Sequence, residues 1–158
     1  MQSRSQDPGA QLAQEQDVTA TLLALLRREQ GHLVNADIAA VTDLLNEKSL
    51  LIAKATDLAV ARHQALALAG YEAGEAGMQA WIASQEPRSE VVQTWNKLID
   101  VAREAKEINR TNGLLINQQL SRNEAALNVL RGDESGADTY GPNGQTSSRP
   151  VSRGRIVG

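Results

Sequence analysis

Four asparagine side chains carry the most distinctive chemistry in this sequence. Asn109, Asn112, Asn117 and Asn123 lie in the segment NRTNGLLINQQLSRNEAALNVLRG, residues 109–132. Asparagine is a poor helix former, yet the apolar residues around it recur at steps of three and four, as in an amphipathic helix. A buried amide that must meet a polar group on a facing helix penalises slipped registers. Because Asn109, Asn112 and Asn123 fall on the apolar stripe, we predict that they fix the register.

The sequence lacks the groupings that catalysis or metal binding requires. It contains no cysteine, which excludes disulfides and thiolate metal sites. His32 and His63 are far apart on one predicted helix, so they cannot share a metal ion within one chain. The glycines of GYEAGEAG do not follow a strand and are interpreted as a connector, not as a phosphate-binding loop. We therefore predict no enzymatic activity, no cofactor and no metal site.

Composition narrows the class of protein further. The 158 residues suffice for one domain, and only 3% of them are aromatic, which favours thin helical layers built from Leu, Ile and Val. The net charge of -3 argues against nucleic acid as a partner. The polar start of the chain does not resemble a signal peptide, and no apolar run approaches about 18 residues. We expect a soluble cytoplasmic protein without an integral membrane segment.

The apolar spacing predicts two long helices and one short helix. The first runs from about residue 12 to 68, with a kink near Gly31. Glycines and Pro87 then form a connector that contains a short helix at about 76–84. The second long helix begins near Ser89 and runs to Arg131, where Gly132 is expected to end it.

These elements predict an all-α fold, a long antiparallel helical hairpin of coiled-coil type with a short third helix near the turn. The predicted organisation is a flexible N-terminus (1–11), a helical hairpin domain (12–131) and a flexible C-terminal tail (132–158). The tail is rich in Gly, Ser and Pro and poor in aliphatic residues, so it cannot bury enough surface to offset its ordering. Folding the chain back places Asn123 near Glu29 and Asn112 near Asp37, and we expect these amides and carboxylates to pair.

Two leucine-rich clusters cover more of the helix circumference than packing against a single partner helix requires. They comprise Leu22, Leu23, Leu25 and Leu26 on the first helix, and Leu114, Leu115, Ile116 and Leu120, with Val129 beyond them, on the second. Because each helix of a hairpin has one partner, part of this surface is expected to remain uncovered at the open end. The short helix or a second copy of the chain could cover it. Alternatively, it forms a groove for an amphipathic helix of another protein.

The order of these segments resembles the FlgN-type flagellar export chaperones. The resemblance rests on Asn109-x2-Asn112-Gly113-x-Leu-Ile, on a first helix carrying Glu29, Asp37, Lys48 and Arg62, on Trp81, on Trp95 with Leu98, and on the closing TYGPNGQ and RGRIVG. It covers nearly the whole chain. It implies a cytoplasmic chaperone of type III secretion that masks the C-terminal ends of the two hook-filament junction proteins, hook-associated proteins 1 and 3, before export.

The same resemblance implies the location of the sites. Clients would bind the end of the second helix and the tail, and we assign this contact to Leu115, Ile116, Leu120, Leu127 and Leu130. Tyr140 is the candidate for docking on the flagellar export gate, although a spacer role is the simpler interpretation of one tyrosine in a polar tail. In addition, Gly113 is expected to permit close approach of another backbone, either that of the first helix or that of a client. A weak homodimer and a structural coiled-coil or adaptor protein without chaperone activity remain the alternatives.

Overall fold

The computed structural model describes residues 7–85 and 89–139, and the side chains of residues 7–85 and 90–132. The described residues form four helices and no strand: α1 (Leu12–Val34), α2 (Ile38–Leu68), α3 (Glu75–Ser84) and α4 (Ser89–Thr139). The predicted all-α class is therefore confirmed, and α3 and the start of α4 lie where the sequence predicted them.

The predicted single helix from 12 to 68 is wrong, because the chain reverses between α1 and α2. Ala36 adopts a left-handed φ of 56°, and the Asp37 amide donates a hydrogen bond to the His32 carbonyl at 2.9 Å, which closes the end of α1. The Asp37 side chain then accepts a hydrogen bond from the Ala40 amide and caps α2. Gly31, the expected kink, lies within α1. The reversal replaces the kink with a tight helical hairpin.

Side-chain contacts fix the direction of each helix. Glu15 pairs with Arg62 and Glu29 with Lys48, so α1 and α2 are antiparallel. The helix α4 is antiparallel to α2 and parallel to α1, as its contacts with Leu12, Arg62 and Glu29 show. The predicted antiparallel helical hairpin is therefore found twice, between α1 and α2 and, across α3, between α2 and α4.

A hydrophobic cluster joins all four helices at the α3 end. It contains Leu12 of α1, Leu66 of α2, Met78 and Trp81 of α3, and Trp95 and Leu98 of α4. Gly70, with a φ of 85°, ends α2, and the Tyr71 amide returns to the Leu66 carbonyl at 2.9 Å. This turn positions the short α3 so that Met78 and Trp81 pack against the ends of the long helices.

Two of the predicted boundaries need revision. Residues 7–11, which belong to the segment expected to be flexible, form turns in which Pro8 is buried and Gly9 lies against Trp81. Gly132 does not end α4, which continues to Thr139, so the first residues of the expected tail are helical. Residues 1–6 and 140–158 lie outside the described residues. The chain divides into two compact units, Met1–Leu115 and Ile116–Gly158.

Candidate functional site

The five residues predicted to bind clients differ in their exposure. In the first unit, Leu115 is partly buried. In the second unit, Ile116 is partly buried, whereas Leu120, Leu127 and Leu130 are 56%, 51% and 65% exposed. Every described side chain from residue 121 to 132 is exposed. The described apolar side chains from Leu120 onward therefore have no cover on this helix.

These apolar residues of the second unit share one face of α4. Ile116, Leu120, Leu127 and Leu130 follow one another at steps of four, seven and three, which places them within roughly 80° of the helix circumference at 3.6 residues per turn. Asn123 occupies the same face, between Leu120 and Leu127. We call Ile116, Leu120, Leu127 and Leu130 the α4 stripe.

The leucine cluster of α1 is not a free surface, contrary to the sequence-based expectation. Leu23, Leu25 and Leu26 are buried, and Leu22 is partly buried. Because α1 packs against both α2 and α4, it needs a wider apolar face than a helix with one neighbour does. These leucines form that face. Leu23 and Leu26 pack against Ala105 of α4. Of the exposed apolar surface proposed for binding, only the part on α4 remains.

Asn112 is the asparagine that reaches the interior. Its amide nitrogen donates to the Leu26 carbonyl at 2.9 Å and to Glu29 Oε1 at 2.8 Å. Glu29 is itself fully buried and also accepts from Lys48 Nζ at 3.0 and 3.1 Å. The cluster joins three helices through one carboxylate. Asn112 Oδ1 is buried and has no hydrogen-bond partner among the described atoms.

The other two candidate register residues are placed differently. Asn109 and Asn123 are exposed, so the expectation that they lie on an inward stripe is wrong. The predicted pairs are wrong as well, because Glu29 is bonded to Asn112 and not to Asn123, and Asp37 caps α2. The register role of Asn112 stays a prediction that its geometry favours.

A second buried ion pair lies near the α3 end of the helices. Arg62 donates from Nε and Nη2 to the two carboxylate oxygens of Glu15, both at 3.0 Å, and its guanidinium lies 4.9 Å from the centre of the Trp95 ring. Arg62 and Trp95 were recognisable in the sequence from their helical spacing and from the FlgN resemblance, whereas Glu15 was not identified. The signal was available, because Glu15 and Glu29 are both acids in the apolar pattern of α1.

Gly113 does not bring two backbones together within the structure. A Cβ atom built at this position meets nothing within 4 Å, so the first helix does not make the expected close approach, and approach by the backbone of a client stays a prediction. A glycine inside a helix lowers its stability by about 1 kcal/mol relative to alanine. Packing inside the described chain does not account for Gly113.

The surface of α4 carries one ion pair between two of its own residues and several charged side chains without a described partner. Arg110 donates to Glu107 at 2.6 Å. This hydrogen bond and the attraction between the two opposite charges lower the pKa of the Glu107 carboxyl and raise the pKa of the Arg110 guanidinium. Both groups are exposed, so the pair contributes little to stability. In contrast, Lys106 and Glu124 form no hydrogen bond or ion pair with another described residue.

The described residues hold neither a cluster of metal ligands nor a membrane-spanning helix. No group of three or more His, Asp or Glu side chains there is placed to hold a metal ion. Within the same residues, no helix is long and apolar enough to cross a membrane.

In the comparison with protein families, the model of the FlgN protein family matches residues 1–148 of the chain. The chain belongs to the FlgN family. FlgN proteins are chaperones and not enzymes, which confirms the prediction that the chain is not an enzyme.

A curated FlgN relative covers a smaller part of the chain. The flagella synthesis protein FlgN of Proteus mirabilis is 36% identical over 63 residues, which are 40% of this chain and 42% of that protein. The chain thus matches about two-fifths of the length of this relative. No solved structure matches the chain significantly.

Proposed function

We propose that this FlgN-family chain is a cytoplasmic export chaperone that masks the amphipathic C-terminal ends of hook-associated proteins 1 and 3 before type III secretion. The observation that carries the proposal is the α4 stripe, three of whose four side chains are more than half exposed. The family and the name of the Proteus mirabilis relative support a role in building flagella.

The α4 stripe has the shape that an amphipathic helix needs in a partner. Its apolar side chains repeat at helical spacing, and the rest of the surface from 117 to 132 is largely Asn, Gln, Ser and charge. A client helix with apolar residues at the same spacing can lie along this face and remove both apolar surfaces from water, at about 25 cal/mol per Å². Because junction-protein ends would otherwise pair with each other, this contact delays their assembly.

The same geometry favours reversible binding. The stripe is a convex helix face without a deep pocket, so each leucine contributes only part of its full burial energy, about 1 kcal/mol. Several similar contacts give a modest affinity that the export machinery can reverse. Asn123, in the middle of the stripe, prefers a polar group of the client at that position.

Replacing Leu127 and Leu130 together by glutamine tests the stripe. Glutamine keeps nearly the same helix propensity, so the variant removes apolar area without unwinding α4. The loss of about 2 kcal/mol should weaken binding of the purified C-terminal segments of hook-associated proteins 1 and 3 about 30-fold, measured by isothermal titration.

A matched double variant on α2 supplies the control. Leu50 and Leu68 are 65% and 73% exposed, and changing both to glutamine should leave client binding within about twofold. Equal losses for the two double variants would refute the α4 stripe as the site. Absence of any binding by the unaltered chain would instead favour the structural coiled-coil alternative.

A second contact of the proposed chaperone involves Tyr140, which lies outside the described residues. If this tyrosine docks on the export gate, changing Tyr140→Ala should weaken binding to the cytoplasmic domain of the gate about tenfold or more, because a buried aromatic ring is lost. Client binding should remain unchanged, and Tyr140→Phe should retain most of the gate affinity. Equal gate binding by the alanine variant would leave Tyr140 with a spacer role.

A further inference from the structure

One face of α2 is exposed, uncharged and spaced for pairing with another helix. Its six residues follow one another at alternating steps of four and three, the heptad spacing of a coiled-coil seam. They are Ile38, Thr42, Leu45, Ser49, Ile52 and Thr56, and all six are exposed. Every charged side chain of α2 lies off this row. We call these six residues the α2 stripe.

The threonines of the α2 stripe present methyl groups to solvent. The Thr42 hydroxyl donates to the Ile38 carbonyl at 2.9 Å, and the Thr56 hydroxyl donates to the Ile52 carbonyl at 2.8 Å. Both hydroxyls are thus satisfied within α2, which leaves their methyl groups available for apolar contact. The large members, Ile38, Leu45 and Ile52, are 49%, 50% and 40% exposed. The α2 stripe is therefore a largely apolar seam that no other described helix covers.

A groove beside the α2 stripe, within the first unit, has room for a further helix. Ile52 belongs to one wall of the groove, and Ala102, Lys106 and Asn109 of α4 belong to the opposite wall. Leu22 of α1 lies at its floor, and the volume is about 280 Å³. A helix lying there would contact the α2 stripe on one side and small residues of α4 on the other.

We propose that α2 of a second copy of the chain occupies this groove, in a parallel two-fold dimer. The α2 stripe brings no charge into the contact, so it meets neither the facing stripe nor Lys106 with a like charge. A two-fold axis parallel to α2 places each α2 in the groove of the other copy. One symmetry operation thereby covers both stripes and both grooves.

The parallel direction follows from the position of α4. Because Ile52 shares the groove with Ala102, the first-unit part of α4 lies to one side of the α2 stripe. In an antiparallel pair, the two-fold axis would put α4 of both copies on that same side, in the same space. In a parallel pair, they lie on opposite sides. Each residue of the stripe then faces its own symmetry mate, and layers of Ile or Leu alternate with layers of Thr or Ser.

The size of the contact indicates its strength. Residues 38–56 span about 28 Å, and the stripe with its groove is about two helix diameters, or 20 Å, wide. This corresponds to about 550 Å² per copy and about 1,100 Å² in total, near the lower limit for specific interfaces. We therefore expect a reversible dimer with a dissociation constant of about 10–100 micromolar.

Disulfide cross-linking tests both the contact and its direction, because the chain contains no cysteine of its own. In the parallel dimer, Thr56 faces Thr56 of the second copy across a Cα separation of about 4–7 Å, which a disulfide can span. Thr56→Cys should therefore form a covalent dimer under mild oxidation at about 50 micromolar, detected on a non-reducing gel. Lys54→Cys, exposed on another face of α2, is the control and should remain monomeric.

Sedimentation equilibrium of the full chain measures the affinity without a cross-link. The unaltered chain should dimerise reversibly between about 1 and 500 micromolar. Leu45→Glu should raise the dissociation constant about tenfold or more, because two carboxylates would face each other in the seam. Leu68→Glu replaces a leucine that is 73% exposed and lies off the stripe, and it should leave the constant within about twofold.

Three results would overturn the proposal. A monomer throughout this concentration range would leave the groove to a helix of another protein. Cross-linking of Thr56→Cys no faster than that of Lys54→Cys would exclude the parallel contact, and an unchanged dissociation constant in Leu45→Glu would exclude the stripe. Circular dichroism of each variant checks that the helices remain folded. No client takes part in either measurement, so the outcome is independent of the proposed function.

Discussion

Replacing Lys48 with methionine is expected to lower the free energy of unfolding by about 3 kcal/mol. The change leaves the fully buried Glu29 carboxylate without its cationic partner, and removal of one member of a buried ion pair typically costs about 3–5 kcal/mol. The lower value is expected because Asn112 still donates to Glu29. Urea unfolding followed by circular dichroism measures the loss.

A surface ion pair provides the matched control for Lys48. Arg27 of α1 pairs with Glu104 of α4, but both side chains are about half exposed. Changing Arg27 to methionine should therefore alter stability by no more than about 0.5 kcal/mol. Replacing Glu29 by leucine together with Lys48→Met should recover most of the loss. An effect of Lys48→Met no larger than that of Arg27→Met would show that burial does not govern the pair.

Replacing Gly77 with alanine is the second change with a large expected effect. A Cβ atom at this position would lie 1.6 Å from the carbonyl oxygen of Glu72, so either the connector or α3 must move. Movement of α3 displaces Met78 and Trp81 from the core. We expect a loss of at least about 2 kcal/mol, measured by urea unfolding with tryptophan fluorescence as a local probe.

Gly31 is the control, because it is also helical but its added Cβ atom meets nothing within 4 Å. Changing Gly31 to alanine should raise stability by about 0.5–1 kcal/mol, since alanine has the higher helix propensity. The two glycines are therefore expected to differ in the sign of the effect. A loss at Gly31 comparable to that at Gly77 would contradict the steric explanation.

Periodicity in the sequence predicted much of the fold. The spacing of Trp95, Leu98 and Ala105 identified α4, and Met78 and Trp81 identified α3, because buried positions on a helix recur every three to four residues. The uncovered leucines of α4 were also predicted, since a long apolar run beyond the core is visible without coordinates.

The reversal at Ala36 was not predicted, because the apolar spacing continues across it and Ala36 itself carries no turn signal. Its left-handed conformation is held by hydrogen bonds from the Ala36 and Asp37 amides to carbonyls of the preceding turn, which sequence spacing does not reveal. Asn35 and Asp37 were the available signals. The double-sided apolar face of Leu23, Leu25 and Leu26 was another, since it indicates a helix with two neighbours.

The candidate site shows the same limit of periodicity. Asn109, Asn112 and Asn123 were predicted to lie on one face of α4, yet only Asn112 is buried. The pattern defines a face of the helix but not which part of that face has a neighbour. That information depends on the direction and length of α1 and α2, and the mistaken single helix assigned both incorrectly.

The turn at Ala36 also affects the order in which the protein can be built. Both ion pairs of the first hairpin, Glu15 with Arg62 and Glu29 with Lys48, lie between residues that a ribosome has joined before it reaches Gly70. The helix that carries the exposed leucines is synthesised last among the described helices. A nascent chain thus contains every residue of the α1–α2 hairpin before the exposed leucines of α4 have been synthesised.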